Sequence, residues 1–237
     1  MTIALITGAN KGIGFEIVRQ LGAGGATVLL GARDAARGKA AAAALPDVDV
    51  HVVQLDVTSA ASIAAAAAWI EATHGRLDIL VNNAGIAIDR DHRPSTVPLE
   101  TVRATYETNV FGVVAVTNAM LPLLRRSPAG RIVNLSSGLG SLTMTSQPDP
   151  PWGDLNHLAY MSSKTALNAL TVQYANELRG TPILVNAADP GYCATDMNGG
   201  QGFQSAADGA RIAVRLATLP AGGPSGSFES ELGVMPW

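Results

Sequence analysis

"TIALITGANKGIGFEIVRQL", residues 2–21, holds three signals in order. A short β-branched and leucine-containing run (2–7) reads as a strand. A glycine-bearing turn, "TGANKGIG" (7–14), follows directly. A helical pattern then begins near residue 12 and runs to about 23. Gly8, Gly12 and Gly14 are spaced G-x3-G-x-G rather than G-x-G-x-x-G. Glycine triplets occur in many ordinary turns. In the first strand-to-helix turn, however, they let the chain reverse tightly, bring backbone N–H groups onto a pyrophosphate and pack helix against sheet. That position points to a dinucleotide site.

The same alternation continues. Strand candidates are 2–7, 27–31, 50–55, 77–82, 131–136 and 182–188, separated by helical stretches near 12–23, 35–45, 59–73, 98–126, 158–179 and 205–218. Repeated βαβ units imply a parallel sheet covered on both faces. Right-handed crossovers make it a doubly wound α/β sheet of the Rossmann type. No Pro/Gly/Ser-rich linker divides residues 1–237, so a single domain is expected. Two irregular stretches, 138–157 and 189–204, each follow a predicted strand. Ligands bind beyond the carboxyl ends of such strands, so these are the expected substrate loops.

Composition sets the bounds. The chain is 47% hydrophobic and 15% charged, with a net charge of −3. That fills a core and leaves no basic field for nucleic acid or an anionic membrane. No run approaches the roughly 18 apolar residues of a membrane span. The first residues lack a signal-peptide pattern, and a cytoplasmic location is expected. Cys193 is the only cysteine, which excludes an internal disulfide and a cysteine-based zinc cage, and no metal site is expected.

The end of the second strand bears on the choice of dinucleotide. In "LLGARD", Ala32 is small and uncharged and Arg33 follows it, while Lys11 lies in the glycine turn. Two cations near the ribose favour the 2′-phosphate of NADP(H), since NAD sites place an acid there. Asp34 fits better as the N-cap of the next helix. In "LDVT" (55–58), Asp56 can accept from the adenine amino group or cap the helix starting near Ser59. "NNAG" (82–85) offers asparagine amides to join sheet and cofactor, and Gly85 permits close backbone approach.

Together with Asn109 in "ETNVFG", the serines of "VNLSSG" and Tyr160 and Lys164 in "YMSSK", these motifs resemble the short-chain dehydrogenase/reductase superfamily from about residue 2 to 195. "TGANKGIGFEIVRQL", "GARD" and "LVNNAGIA" are most similar to its carbonyl-reductase branch, which includes plant and animal NADPH-dependent ketone reductases. The resemblance implies Tyr160 as general acid, Lys164 as its partner, Ser137 as donor to the substrate carbonyl and Asn109 as anchor of a water relay. It implies cofactor contacts from Gly8, Asn10, Lys11, Gly12, Ile13, Gly14, Arg33, Asp56, Val57, Asn83, Ala84, Gly85, Tyr160 and Lys164. "DPGYCATDM" (189–197) adds Pro190, Gly191, Cys193 and Thr195 beside the nicotinamide. A free tyrosine titrates near pH 10, and lowering it to about 7 takes roughly 4 kcal/mol of differential interaction. The neighbouring lysine, helped by oxidised nicotinamide, is expected to supply it.

The implied reaction is reversible reduction of a ketone or aldehyde by NADPH. A non-catalytic NADP(H)-binding sensor is the first alternative. A sugar-nucleotide epimerase or dehydratase is the second, although that group generally has a larger carboxyl-terminal domain. Met144, Trp152, Tyr192, Met197 and Phe203 suggest an apolar or aromatic substrate. Gly199, Gly200 and Gly202 would let the second loop move. Trp69 reads as packing, His157 as a helix-entry residue, and Cys193 as a backbone contact. No charge falls between Thr165 and Asn176, so that helix is expected to be buried on more than one side. The resemblance implies a homodimer or homotetramer through it and the helix of Asn109. The 22 residues between Ser137 and Tyr160 exceed the usual spacing and leave a monomer open.

Overall fold

In the computed structural model, which describes residues 1–150, 152–153 and 155–237, strands and helices alternate. The order is β1 (Ile3–Ile6), α1 (Gly12–Ala23), β2 (Thr27–Ala32), α2 (Ala35–Ala43), β3 (Val50–Gln54), α3 (Ala60–His74), β4 (Ile79–Asn82), α4 (Leu99–Tyr106), α5 (Gly112–Leu124), β5 (Arg131–Leu135), α6 (Leu142–Thr145), α7 (Leu158–Glu177), β6 (Leu184–Ala188), α8 (Ala206–Ala217), β7 (Phe228–Ser230) and β8 (Gly233–Val234). The strands form one sheet in the order β3-β2-β1-β4-β5-β6-β7-β8. All pairings are parallel except β7 with β8. The expected single-domain, doubly wound α/β sheet is therefore present. Strand order reverses between β1 and β4, which opens the crevice at their carboxyl ends.

Successive side chains of a strand point to opposite faces, and both faces here are covered. Ile6, Val28, Leu30, Val81 and Val133 meet Ile17 and Val18 of α1 and Ile212 and Leu216 of α8. Leu5, Leu29, Leu80, Ile132 and Val185 meet Ile63 and Ile70 of α3 and Val116, Met120 and Leu124 of α5. Double coverage explains why β1, β2, β4 and β5 are buried throughout and mostly apolar rather than alternating.

Local signals and structure agree at Asp34, whose side chain accepts from the N–H groups of Ala36 (2.9 Å) and Arg37 (3.1 Å) as the N-cap of α2. At α3 the cap is Ser59, which accepts from Ser62 N–H. Asp56 instead accepts from the N–H and hydroxyl of Thr58, so its capping alternative is set aside. The stretch 98–126 is not one regular helix: Glu107–Phe111 form a π-helical turn between α4 and α5. The irregular stretches contain short 3₁₀ turns at Gly138–Gly140 and Asp196–Asn198 as well as α6. The antiparallel β7–β8 edge was not anticipated.

The expectation of no span-length apolar run also needs correction. Leu99–Leu124 is a continuous helical stretch of 26 residues, and an 18-residue window within it has a mean hydropathy of 1.3, enough by length and composition to cross a membrane. Half of that window is buried in the protein, with Val116, Met120, Leu123 and Leu124 in the core. It is placed as a core helix.

Asp78 fastens the base of the sheet. Its carboxylate accepts from Ile3 N–H (2.9 Å), Ser127 Oγ (2.6 Å) and Arg76 Nε (3.0 Å). Burial raises its pKa, but these hydrogen bonds outweigh burial and leave it below the ordinary value. A carboxyl lowered by folding contributes stability above its unfolded pKa and loses it as pH falls through the folded value. Asp78→Asn is expected to cost about 1–3 kcal/mol at neutral pH. The gap from the natural protein should narrow below about pH 4, as read by urea unfolding at a series of pH values.

Candidate active site

Three turns at the carboxyl ends of the strands converge. The first follows β1, where Gly8 and Gly12 have φ of +62° and +58°, in the left-handed region that favours glycine. A Cβ on Gly14 would collide with Asn83 Nδ2, and one on Gly8 would lie 2.9 Å from Ala84 Cα. This close approach is stitched by polar bonds. Asn83 Nδ2 donates to the carbonyls of Thr7 (2.8 Å) and Gly8 (3.1 Å), and Thr7 Oγ1 accepts from the N–H groups of Asn83 and Ala84. "NNAG" thus holds the glycine turn in shape.

The N-terminus of α1 opens from this turn. Its N-cap, Lys11, makes no side-chain cap bond, and no acid lies in its first turn. The cap therefore offers the early N–H groups of the helix no side-chain acceptor, which leaves them and the positive end of its dipole for an anion. Ile13 and Asn10 are half-buried beside it, and Arg33 is exposed just past β2. Lys11 forms an exposed ion pair with Asp196 (2.9 Å), which ties the glycine turn to the 189–204 segment. Thr195 lies against Gly12. Asp56 is half-buried after β3, and Val57 packs into the core, its carbonyl against Gly112.

The second turn follows β5. Ser136 and Ser137 face different surroundings. Ser136 is buried and donates to Asn168 Oδ1 (2.6 Å), whose Nδ2 donates to the Gly140 carbonyl (3.2 Å). Ser137 is half-buried, and its Oγ accepts from Leu139 N–H (3.2 Å). Glycine at 140 lets the turn lie directly on α7, since a Cβ there would come within 2.8 Å of the Lys164 carbonyl carbon.

On α7, Lys164 is buried. Its Nζ donates to the Leu135 carbonyl (2.8 Å) and lies 5.6 Å from the Tyr160 ring centroid. Burial pushes the lysine down to about 8. It pushes the Tyr160 phenol up to about 12; a hydrogen bond with Ser137 and the charge of Arg90 oppose this, while Asp189 adds to it. Lys164 is not among the groups that move the phenol. Desolvation dominates both groups, and the ammonium is engaged by a backbone carbonyl rather than by the phenol.

Asn109 sits in the π-turn and is fully buried. Oδ1 accepts from Ile86 N–H (2.8 Å), and Nδ2 donates to the Ile86 carbonyl (2.9 Å) and Ser163 Oγ (3.0 Å). Gly85 runs between it and Lys164: a Cβ there would lie 3.4 Å from Asn109 Oδ1 and 3.6 Å from Lys164 Nζ.

The third turn, after β6, begins with Asp189, which the motif reading passed over although it precedes "PGYC". Its carboxylate accepts from Gly191 N–H (3.1 Å) and sits beside Gly138, and burial raises its pKa. Pro190 accepts a hydrogen bond from Cys193 Sγ (3.2 Å). That thiol is buried and pushed up to about 11, chiefly by desolvation; it is a packing group. Gly191 has φ +72°. Trp152 lies on Gly138, and Tyr192 and Phe203, both exposed, stand 6.0 Å apart. His157 is the N-cap of α7 without a side-chain cap bond. Trp69 lies elsewhere, edge-on to His74.

Residues 2–204 match the short chain dehydrogenase family model. The chain belongs to this family. It is 41% identical over 224 residues to a short-chain dehydrogenase of Penicillium roqueforti (strain FM164), covering 91% of this chain and 88% of that one. It is 36% identical to carbonyl reductase [NADPH] 1 of Bos taurus, covering 99% and 98%. The NADPH-bound carbonyl reductase from chicken fatty liver has a similar structure, with a TM-score of 0.86 at 29% identity, covering 100% of this chain and 98% of that one.

The stitch between the first two motifs of this family member can be broken without touching Tyr160. In Gly14→Ala the new methyl displaces the Asn83 amide from Thr7 and Gly8. A loss of about 1–3 kcal/mol is expected, measured by thermal or urea unfolding.

Proposed function

We propose that this short-chain dehydrogenase reduces a ketone or aldehyde with NADPH, and that Tyr160 delivers the proton. One observation carries this: half-buried Tyr160 and buried Lys164 stand one turn apart on α7 beside Ser137, at the carboxyl end of β5 and next to the turn after β4. NADP(H) is the cofactor. The open N–H groups of α1, the left-handed glycines at 8 and 12 and the exposed Arg33 fit its phosphates. Lys11, Gly14, Asn10 and Ile13 would line the same turn, with Asp56 and Val57 toward adenine. Asn83, Ala84, Gly85, Pro190, Gly191, Cys193 and Thr195 would border the nicotinamide.

The cofactor supplies the hydride; the chain must orient the carbonyl and supply a proton. Ser137 can donate to the carbonyl oxygen, where negative charge develops during reduction. Tyr160, with its pKa raised, keeps its proton at neutral pH and is suited to act as an acid. Lys164 holds positive charge below the ring and restores the field as the phenol gives up its proton. Asn109 fixes Ile86 and Ser163 around them and anchors the path by which the proton is replaced. The stretches 138–157 and 189–204 serve as substrate loops. Trp152, Tyr192, Met197, Phe203 and Met144 favour an apolar or aromatic carbonyl compound.

A homo-oligomer through α5 and α7 agrees with a shallow groove of about 430 Å³ lined by Val114, Leu170, Tyr174 and Glu177. The exposed Phe111 belongs to the preceding π-turn.

Turnover should be faster with NADPH than with NADH across a panel of aryl ketones, quinones, terpenoid ketones and aldehydes. Tyr160→Phe should keep NADPH affinity within about twofold while kcat falls by about 10²–10⁴. A variant that reduces the same carbonyls at the natural rate would refute the assignment of the proton donor. Conversion of a nucleotide sugar without NADPH consumption would favour the epimerase alternative. NADPH binding with no turnover of any carbonyl would favour the sensor.

The pH profile separates the two titrating groups. Lys164 is charged below about 8 and neutral above it, whereas the phenol holds its proton to about 12. The alkaline limb of kcat should therefore lie near pH 8 and belong to the lysine. The residual activity of Lys164→Arg should lack that limb, because guanidinium stays charged.

A further inference from the structure

Helix α7 carries Tyr160 in its first turn, yet the cap at its start is incomplete. The N-cap His157 makes no side-chain cap bond, and no acid lies in the first turn. The helix is 20 residues long, so its N-terminal N–H groups and dipole call for an acceptor. That acceptor comes from a loop more than 65 residues earlier in the chain. Asp89 Oδ2 accepts from the N–H of Ala159 at 2.7 Å and of Tyr160 at 3.4 Å. These are the second and third residues of the helix, the donors that an N-cap side chain normally takes.

The carboxylate is 1% exposed. Its Oδ1, like the nearby His157 Nδ1, is buried with no hydrogen-bond partner among the described residues. Burying a charge with one oxygen unpaired is unfavourable by itself; the helix dipole and two N–H groups offset it. The segment carrying Asp89 is held at its other end as well, because both backbone groups of Ile86 bind the Asn109 side chain. Asn109 also binds Ser163, whose hydroxyl donates to the Tyr160 carbonyl (2.7 Å). Residues 86–89 and Asn109 thus grip α7 at its first and second turns, on either side of the Tyr160 backbone.

We propose that Asp89 is a positioning residue for the reductase reaction: it caps α7 from the loop after β4 and so fixes Tyr160 relative to Ser137 and the carbonyl to be reduced. The proposal rests on the role given to Tyr160 above. A proton donor displaced by about 1 Å can lose up to 10²-fold in rate, whereas the dinucleotide turn after β1 does not depend on this cap.

The test compares the full-length protein with Asp89→Ala, Asp89→Asn and Asp89→Glu by amide hydrogen exchange and steady-state kinetics. In Asp89→Ala, exchange at Ala159 and Tyr160 should accelerate by about tenfold or more, with residues 170–178 unchanged, as loss of a cap predicts. Its kcat should fall by about tenfold or more with KM for NADPH within about twofold. Asp89→Asn retains a cap acceptor and should recover most of both losses. Asp89→Glu keeps the charge but moves the carboxylate, and should lose kcat while remaining folded. Unchanged exchange at Ala159 and Tyr160 in Asp89→Ala overturns the proposal, as does accelerated exchange with natural kcat. If Asp89→Ala does not fold, natural kcat in Asp89→Glu overturns it. If the natural protein reduces no carbonyl, the functional reading falls, while the exchange measurements still decide whether Asp89 holds α7.

Discussion

The side-chain amide of Asn83 joins two turns that the sheet alone would leave separate. Parallel strands β1 and β4 lie side by side where strand order reverses, so the chain leaving each one diverges from its neighbour. Without a bridge, the glycine turn and the "NNAG" turn would be independent loops above a crevice. Asn83 donates to the two carbonyls that end β1, and Thr7 answers with a hydroxyl that accepts two N–H groups. Glycine at 8 and 14 is required because this bridge brings backbone within contact distance. Everything downstream inherits the alignment: the uncapped N–H groups of α1, the course of Gly85 beside Lys164, and the approach of Thr195 to Gly12.

On the other side of the crevice the constraint is electrostatic. Two titratable groups share one helix face, Lys164 buried and Tyr160 half-buried, and desolvation acts on them in opposite directions. Lys164 falls from 10.5 to about 8 and Tyr160 rises from 10 to about 12. The lysine's shift corresponds to about 3 kcal/mol of differential interaction, a sizeable fraction of a domain's net stability, whereas the phenol is protonated folded and unfolded alike at neutral pH and its shift costs nothing there. The Leu135 carbonyl gives the lysine a hydrogen-bond acceptor in place of water. A half-buried, protonated phenol beside a weakened ammonium is what the role proposed for Tyr160 requires. Asp189 and Arg90 act on the phenol in opposing senses, so local charge is balanced rather than uniformly positive.

Residues whose roles are local were readable from the chain. The glycine turn announces itself by following a strand, the inner strands by short apolar-rich runs, and Asp34 by standing two and three residues before the N–H groups it caps. Features that depend on distant parts of the chain were hidden. One extra residue in a helical turn leaves the surrounding pattern intact, so the π-turn that turns Asn109 inward has no separate signature. Asp89 and Ala159 are 70 positions apart, and no local pattern links a loop aspartate to the start of a later helix. The burial that raises the Tyr160 pKa was hidden for a related reason. Spacing i to i+4 puts a lysine beside a tyrosine, but it cannot tell whether water is excluded from both. The β7–β8 edge escaped because strands of three and two residues lack a repeat long enough to register.

The walls of the crevice differ in how firmly they are held. The turn after β5 is clamped by α7 through Thr165, Asn168 and Gly140, and from behind by the C-terminus. There Ser141 Oγ donates to the Pro236 carbonyl, Thr143 N–H donates to the Trp237 carbonyl, and Trp237 stacks on Phe228. Segment 189–204 is tied to the rest of the protein by Asp189 N–H, which donates to the Glu229 carbonyl, and by Pro190 and Cys193 lying against Gly209, while the Asp189–Gly191, Pro190–Cys193 and Cys193–Asn198 bonds lie within it. It reaches the glycine turn through Thr195 against Gly12 and through the exposed Lys11–Asp196 pair, the latter a contact worth at most about 1 kcal/mol. Tyr192, Met197 and Phe203, all exposed, lie on this segment. In the function proposed above, the clamped wall bears the reacting groups and the other wall bears the apolar side chains. Proton and hydride transfer demand fixed distances, whereas the apolar substrate proposed for the site would need only a surface that can close over it.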